Sequence, residues 1–401
     1  MFVFGRRLDV SFAPQVRRNI TDITLARVVA NACYRFAPPF LAVIAKDFNI
    51  SLPEIGIAMF VSELSGLASP FAGRFVDRLR HRTAILLGLG GTALGVTMAS
   101  LAPNPVIFAI GITFMCTTKL LFDLGLGAWI ADHVPYQRRS RVVGFTETAW
   151  ALGLLIGVST MGIVTAITSW RGGYVLGAVG AVVMMTVIAT RMTSEPRIVH
   201  VHDADHFRRV TGRGWIVVGT SYCIMAASQS VFVTFGAWLG DEFGYGPAGI
   251  AAVGFGLGAV ELFASLNSAS RTDAWGKERS IALGAFLMLP AAVLLALGST
   301  QLLVGLAALA IYLMGFEFAV VSMLPISTQL VKNSPGTGMG WVLGGGTLGR
   351  ASMSLVATST YVEYGISAPA FIGGGFAVAA SVSILWFRRL GGVRHIDSTF
   401  S

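Results

Sequence analysis

From end to end, the chain alternates long apolar runs with short polar connections. Twelve runs can be traced, at about 21–45, 54–75, 83–101, 105–131, 142–166, 172–190, 214–239, 248–268, 280–299, 302–328, 338–360 and 368–388. Each is long enough to cross a hydrocarbon core of ~30 Å as a helix, which takes about 20 residues. A helix satisfies its own backbone hydrogen bonds, so helix is the expected spanning form. A β-barrel needs alternating segments of about ten residues, and the chain shows none. The pattern predicts an all-α integral membrane protein with twelve transmembrane helices.

The longest interior polar connection, 191–213, follows the sixth run. It predicts an N-terminal six-helix bundle (1–190), a cytoplasmic linker (191–213) and a C-terminal six-helix bundle (214–401). Sliding one half on the other by 196 residues lays DRLRHRTAILLG (77–88) on DAWGKERSIALG (273–284), matching Asp77 to Asp273, Ile85 to Ile281, Leu87 to Leu283 and Gly88 to Gly284. The same offset lays Gly144 on Gly340 and Gly153 on Gly349. Many secondary transporters are built from such repeats, with the substrate site near mid-membrane between them.

Composition agrees: 54% of residues are hydrophobic and 12% charged, against about 25% charged in a soluble domain. The net charge of +9 changes the picture only when it is sorted by position. Of 29 Lys and Arg, 23 fall in the tails and the even-numbered loops, two (Lys46, Arg171) in the odd-numbered loops, and four inside apolar runs. This is the positive-inside asymmetry; it places both termini in the cytoplasm and removes the case for a nucleic-acid partner. The opening MFVFGRRLDV lacks the apolar stretch of a removed signal peptide. Cys33, Cys116 and Cys223 lie inside apolar runs with no pairing pattern and read as packing residues. His200, His202, Asp203, Asp205 and His206 suit a solvated linker, or weak metal binding; no metal site is assigned. No phosphate-loop, H-E-x-x-H or G-x-S-x-G motif occurs, so no enzymatic activity and no cofactor are expected.

The stretch AGRFVDRLRHRTAILLG (72–88) packs charges between two apolar runs. Gly73, Asp77, Arg78, Arg80, His81 and Arg82 resemble the major facilitator superfamily signature G-x-x-x-D-R-x-G-R-R/K, with Arg80 where the second glycine usually stands. The second copy, Asp273, Gly276, Lys277 and Arg279, keeps that glycine and has Ala269 for the first. The resemblance implies alternating access between two halves, usually in a monomer. It also implies a conformational-switch loop that uses Gly73, Asp77, Arg78, Arg82, Asp273 and Lys277. Gly144, Gly153, Gly157 and Gly162 fall on the glycines of the family's antiporter signature, while Val158 and Met161 depart from it. Close helix packing explains these glycines equally well.

Ionisable groups inside a membrane are costly and are functional candidates by default. Here they are Asp22, Arg27, Arg35, Glu63, Lys119, Asp123 and Glu147 in the first half, and Glu261, Glu317 and Arg350 in the second. Lys119 and Asp123 lie one helical turn apart and can pair; Glu317 and Arg350, at similar depth, form a second candidate pair. All six histidines fall in loops or tails. Proton coupling therefore falls to a carboxylate: Asp123 first, then Glu63, Glu147 and Asp22. The expected substrate cavity draws on Asn31, Tyr34, Arg35, Lys119, Trp150, Phe232, Glu317, Trp341 and Arg350. The preferred expectation is proton-coupled efflux of a small lipophilic or drug-like compound across the inner membrane. The alternative is a proton symporter that takes up a small organic solute such as an organic anion.

Overall fold

A computed structural model describes residues 14–68, 72, 75–76, 78–134, 139–192, 210, 212–331 and 335–392. Among them every regular element is helical. The elements used below are α1 (Pro14–Phe36), α2 (Leu41–Asp47), α3 (Leu52–Leu64), α4 (His81–Ser100), α5 (Pro105–His133) and α6 (Arg139–Leu152). They continue with α7 (Ser159–Ile167), α8 (Trp170–Arg191), α9 (Gly214–Phe232), α10 (Phe235–Phe243), α11 (Pro247–Trp275), α12 (Lys277–Gly298), α13 (Leu302–Ser327), α14 (Pro335–Tyr364) and α15 (Ser367–Arg389). Among the described residues, ten stretches are long and apolar enough to cross a membrane. The second and eleventh expected spans are not among them. α3 gives way to a tighter 3₁₀ turn at Ser65–Ala68, and α14 is a 30-residue helix rich in glycine that carries Arg350.

Local chemistry starts these helices. Ser51 caps α3 in a capping box, its own N–H donating to Glu54 Oε2 at 2.7 Å. Asn104 Oδ1 accepts from the Ile107 N–H at 3.0 Å, and Pro105 opens α5 where no N–H is needed. The first span is interrupted at Pro38–Phe40, where the consecutive prolines remove two donors.

The repeat read from the sequence reappears in helix boundaries. α4 begins at His81 and α12 at Lys277, and α1 ends at Phe36 while α9 ends at Phe232, in each case 196 residues apart. The two copies of the charged loop differ for a backbone reason. Gly276 sits at φ 88°, a conformation that favours glycine. Arg80, at the equivalent place, is extended at φ −72°, so the missing glycine is not needed there.

Packing divides the chain into two compact units, each of which draws on both halves of the sequence. The first comprises the described parts of Met1–Ala37, Ala68–His202 and Gly246–Ala259; the second those of Pro38–Leu67, Asp203–Tyr245 and Val260–Ser401. In the first unit, a cluster of Ile20, Ile23, Ile85, Leu89, Phe122, Trp129 and their neighbours joins α1, α4, α5 and α8. α4 and α5 approach closely because Gly88 leaves room for the Phe122 backbone; a Cβ there would lie 2.6 Å from the Phe122 nitrogen. Between α6 and α7 the helix widens to a π-turn over Gly153–Val158. Gly153 and Gly157 rest there on Asn31 and Ala32 of α1. In the second unit α3 lies against α14, with Gly56 on Thr358 and Gly66 on Thr347.

Gly88→Val is expected to force α4 and α5 apart and to destabilise the protein by about 1–3 kcal/mol. Leu94→Ala, on an exposed position of the same helix, should leave the melting temperature in detergent unchanged. Equal melting temperatures for the wild type and Gly88→Val would show that the contact is not tight.

Candidate functional site

In the first unit α1, α5 and α6 bring ionisable and aromatic side chains together. Arg27 of α1 sits at the centre. Its Nε donates to Asp123 Oδ1 at 3.2 Å, and its Nη1 donates to Glu147 Oε1 at 2.8 Å and to the Thr146 carbonyl at 2.9 Å. Lys119 Nζ donates to the other oxygen of Asp123 at 2.6 Å. Asp123 is therefore bridged by two cations, and Arg27 by two carboxylates. The expected Lys119–Asp123 pair is present; its extension through Arg27 to Glu147 was not read from the sequence. Arg27 stood among the membrane charges, but nothing in linear spacing links position 27 to 123 or 147.

Aromatic rings adjoin this network. The Lys119 ammonium lies 5.2 Å from the Tyr34 ring centroid, and Tyr34 and Trp150 are 6.1 Å apart. The Arg35 guanidinium lies 4.5 Å over Trp150 and donates to the Trp150 carbonyl at 3.0 Å. Such cation–π contacts strengthen where water is excluded. Asn31, one turn before Arg35, is fully buried, and neither atom of its amide has a hydrogen-bond partner among the described residues. The α1 candidates Asn31, Tyr34 and Arg35 thus fall beside Lys119 and Trp150. Three cations (Arg27, Arg35, Lys119) face two carboxylates (Asp123, Glu147). Asp22 lies apart from this group; its carboxylate accepts from Arg191 Nη1 of α8 at 3.3 Å.

In the second unit, Arg350 Nη2 donates to Glu63 Oε1 at 2.9 Å across α14 and α3, with both side chains buried. The sequence paired Arg350 with Glu317, and Glu63 was considered alone. Glu317 accepts from the Ser265 hydroxyl of α11. Phe232 closes α9 against Phe235, with ring centroids 5.5 Å apart. Trp341 meets Trp215 edge to face at 5.0 Å, near the start of α9.

For the charged loop, Gly73 and Asp77 lie outside the described residues, as does the side chain of Asp273. Arg78 is exposed, and its N–H donates to the Phe75 carbonyl at 3.1 Å. Arg82 donates to the Ala189 carbonyl in the last turn of α8, where cations are favoured. Lys277 opens α12. A tie that the sequence did not disclose joins the two ends of the α4–α5 hairpin: His81 Nε2 lies 2.7 Å from Asp132 Oδ2. The histidine-rich stretch 200–206 lies outside the described residues.

Comparison with known proteins places this arrangement. The sequence model of the Major Facilitator Superfamily matches residues 23–352. A gentisate transporter of Corynebacterium glutamicum is 23% identical over 81% of this chain and 79% of its own length. Multidrug resistance protein 2 of Bacillus subtilis is 23% identical over 54% of this chain and 56% of its own. Among solved structures, a bacterial homologue of the human lysosomal transporter Spinster superposes with a TM-score of 0.76 at 13% identity, covering 94% of this chain and 97% of that one. With its multi-pass helical architecture and a family match that spans most of its length, this chain belongs to the Major Facilitator Superfamily of membrane transporters.

Proposed function

We propose that this transporter carries a small organic anion with a planar or aromatic body, in symport with protons. The observation that supports this reading is the bridging of Asp123 by Lys119 and Arg27, at 2.6 and 3.2 Å. A carboxylate held by two cations is a poor proton acceptor while both remain bound. A substrate anion competes for those same cations. When it takes Lys119 and Arg27, Asp123 loses its partners, and protonation becomes the cheapest way to keep it in a poorly hydrated site. Substrate and proton then bind together, which is the requirement for symport. A cationic substrate would instead compete with the proton for the carboxylate, the logic of antiport. The three-to-two excess of cations and the adjoining Tyr34 and Trp150 rings suit an aromatic anion. The name of the gentisate-transporting relative supports the same chemical class.

In this reading, residues 1–190 and 214–401 act as the two halves of an alternating-access cycle, with the linker 191–213 between them. Glu63, paired with Arg350, and Glu147, paired with Arg27, are further proton carriers. Asn31, Tyr34, Arg35 and Trp150 position the substrate. Phe232, Trp341 and Glu317 are the substrate-contact candidates of the C-terminal half. The loop at Gly73, Asp77 and Arg78, with its repeat at Asp273 and Lys277, holds one conformation until substrate arrives. Efflux of a lipophilic compound in exchange for protons is the second reading. It is favoured by the antiporter-like glycines and by the multidrug relative, although Gly153 and Gly157 also serve the contact with α1.

Proteoliposomes with an imposed pH gradient test the choice, with gentisate, niacin and benzoate as probes beside a panel of lipophilic cations. Acid outside should drive accumulation of an aromatic anion. Proton release provoked only by cations would favour efflux instead. Lys119→Gln is expected to raise KM for the anion by about ten- to a hundredfold, the weight of one hydrogen bond to a charged group. In Asp123→Asn, exchange of labelled for unlabelled anion should persist while proton-driven accumulation is lost. Wild-type accumulation in that variant would remove Asp123 from the coupling role.

A further inference from the structure

α12 carries a stripe that neither the substrate site nor the helix packing uses. Arg279, Leu283, Phe286, Pro290, Val293 and Leu297 recur at alternating steps of four and three residues, which puts them on one face of the helix. Leu283, Phe286, Val293 and Leu297 are all exposed. Two cavities lie on this stripe. One, of about 380 Å³, is lined by Ala274, Trp275, Arg279 and Leu283. The other, of about 520 Å³, is lined by Phe286, Leu289, Pro290, Val293, Leu294 and Leu297. Pro290 brings no N–H to the Phe286 carbonyl, and the helix surface is interrupted there.

The two cavities differ in chemistry. The second is entirely apolar. The first ends in charge: Arg279 opens from the first turns of α12, and Arg271 on the last turn of α11 lies 5.4 Å over the Trp275 ring. Arg271, Trp275 and Arg279 are all exposed. Glu278, the acid in the first turn of α12, lies against Gly392. Two arginines around an interfacial tryptophan, above an apolar groove that runs down one helix, match a molecule with an anionic head and a hydrocarbon tail. The rise from Arg279 to Pro290 is about 16 Å at 1.5 Å per residue, close to the depth of one leaflet of a ~30 Å core.

We propose that the α11–α12 hairpin is a binding site for an anionic phospholipid. Its phosphate sits between Arg271 and Arg279 beside Trp275, and an acyl chain lies along Leu283, Phe286 and Pro290. The occupant is a lipid rather than a second copy of the chain because the groove pairs a cationic end with an apolar floor, and the same face on a second copy would bring arginines against arginines. The site does not depend on which solute is carried.

Native mass spectrometry of the full chain in detergent tests this, with phosphatidylglycerol and phosphatidylcholine of identical chains as probes. One phosphatidylglycerol should be retained in preference to phosphatidylcholine. Arg271→Gln and Arg279→Gln should each weaken retention by about fivefold. Leu283→Trp, which fills the groove and keeps both charges, should weaken it at least as much. Arg388→Gln with Arg389→Gln, at exposed positions on α15, should leave it unchanged. Equal retention of the two lipids would overturn the proposal. So would an equal loss in the α15 variant, which marks general surface attraction, or full retention in Leu283→Trp. A dimer that forms as lipid is removed, and that Leu283→Trp abolishes, would assign the groove to a second copy instead.

Discussion

A charge inside a hydrocarbon layer has to bring its counter-charge with it. The cost of leaving it alone runs from about 2.5 kcal/mol upward on insertion scales. In the first unit that constraint shapes the contact of three helices. Arg27 draws Asp123 and Glu147 to itself, and Lys119 completes the neutralisation of Asp123. These bonds tie α1, α5 and α6 together. The second unit meets the same constraint more simply, with Arg350 and Glu63 joining α14 and α3. Removing one member of such a set costs more than the set contributes, because the remaining charge stays buried without its partner. A solute that brings its own charge can replace a member at far lower cost.

The network needs helices that come close enough for short side chains to meet. Between lipid-facing helices there is little hydrophobic drive, so van der Waals contact of backbones does much of the work. Gly153 and Gly157 allow the π-turn of the fifth span to rest on Asn31 and Ala32, which brings Trp150 and Glu147 to the face of α1 that carries Arg27 and Arg35. The wider winding belongs to a class of distortion often found at functional sites. Beside that turn lies the buried amide of Asn31, neither atom of which has a hydrogen-bond partner among the described residues.

The residues that resemble the antiporter signature illustrate how a motif and a packing need can share positions. Two of the four glycines that matched it, Gly153 and Gly157, are where α1 approaches. The charged loop makes a similar point. The glycine absent from the first copy is present in the second, and only the second copy has a positive φ there. A departure from the family pattern at Arg80 therefore follows from local backbone conformation and needs no loss of role.

Much of the architecture was legible in linear order, because hydrophobic runs of membrane length, cap residues and the sign of loop charges are local properties. The runs, the 196-residue repeat and the membrane charges themselves were read this way, and the helix starts at His81 and Lys277 repeat at that spacing. Partnership was legible only within one helix: Lys119 and Asp123 are four residues apart, so helical geometry alone puts them in reach. Arg27 with Asp123 and Glu147, Arg350 with Glu63, and His81 with Asp132 are separated by 51 to 287 residues. No periodicity connects such positions. The sequence by itself determined which charges enter the membrane and on which helices they ride. Tertiary structure decided which of them meet, because that depends on which glycine-lined faces pack together and how deeply each helix sits against its neighbour.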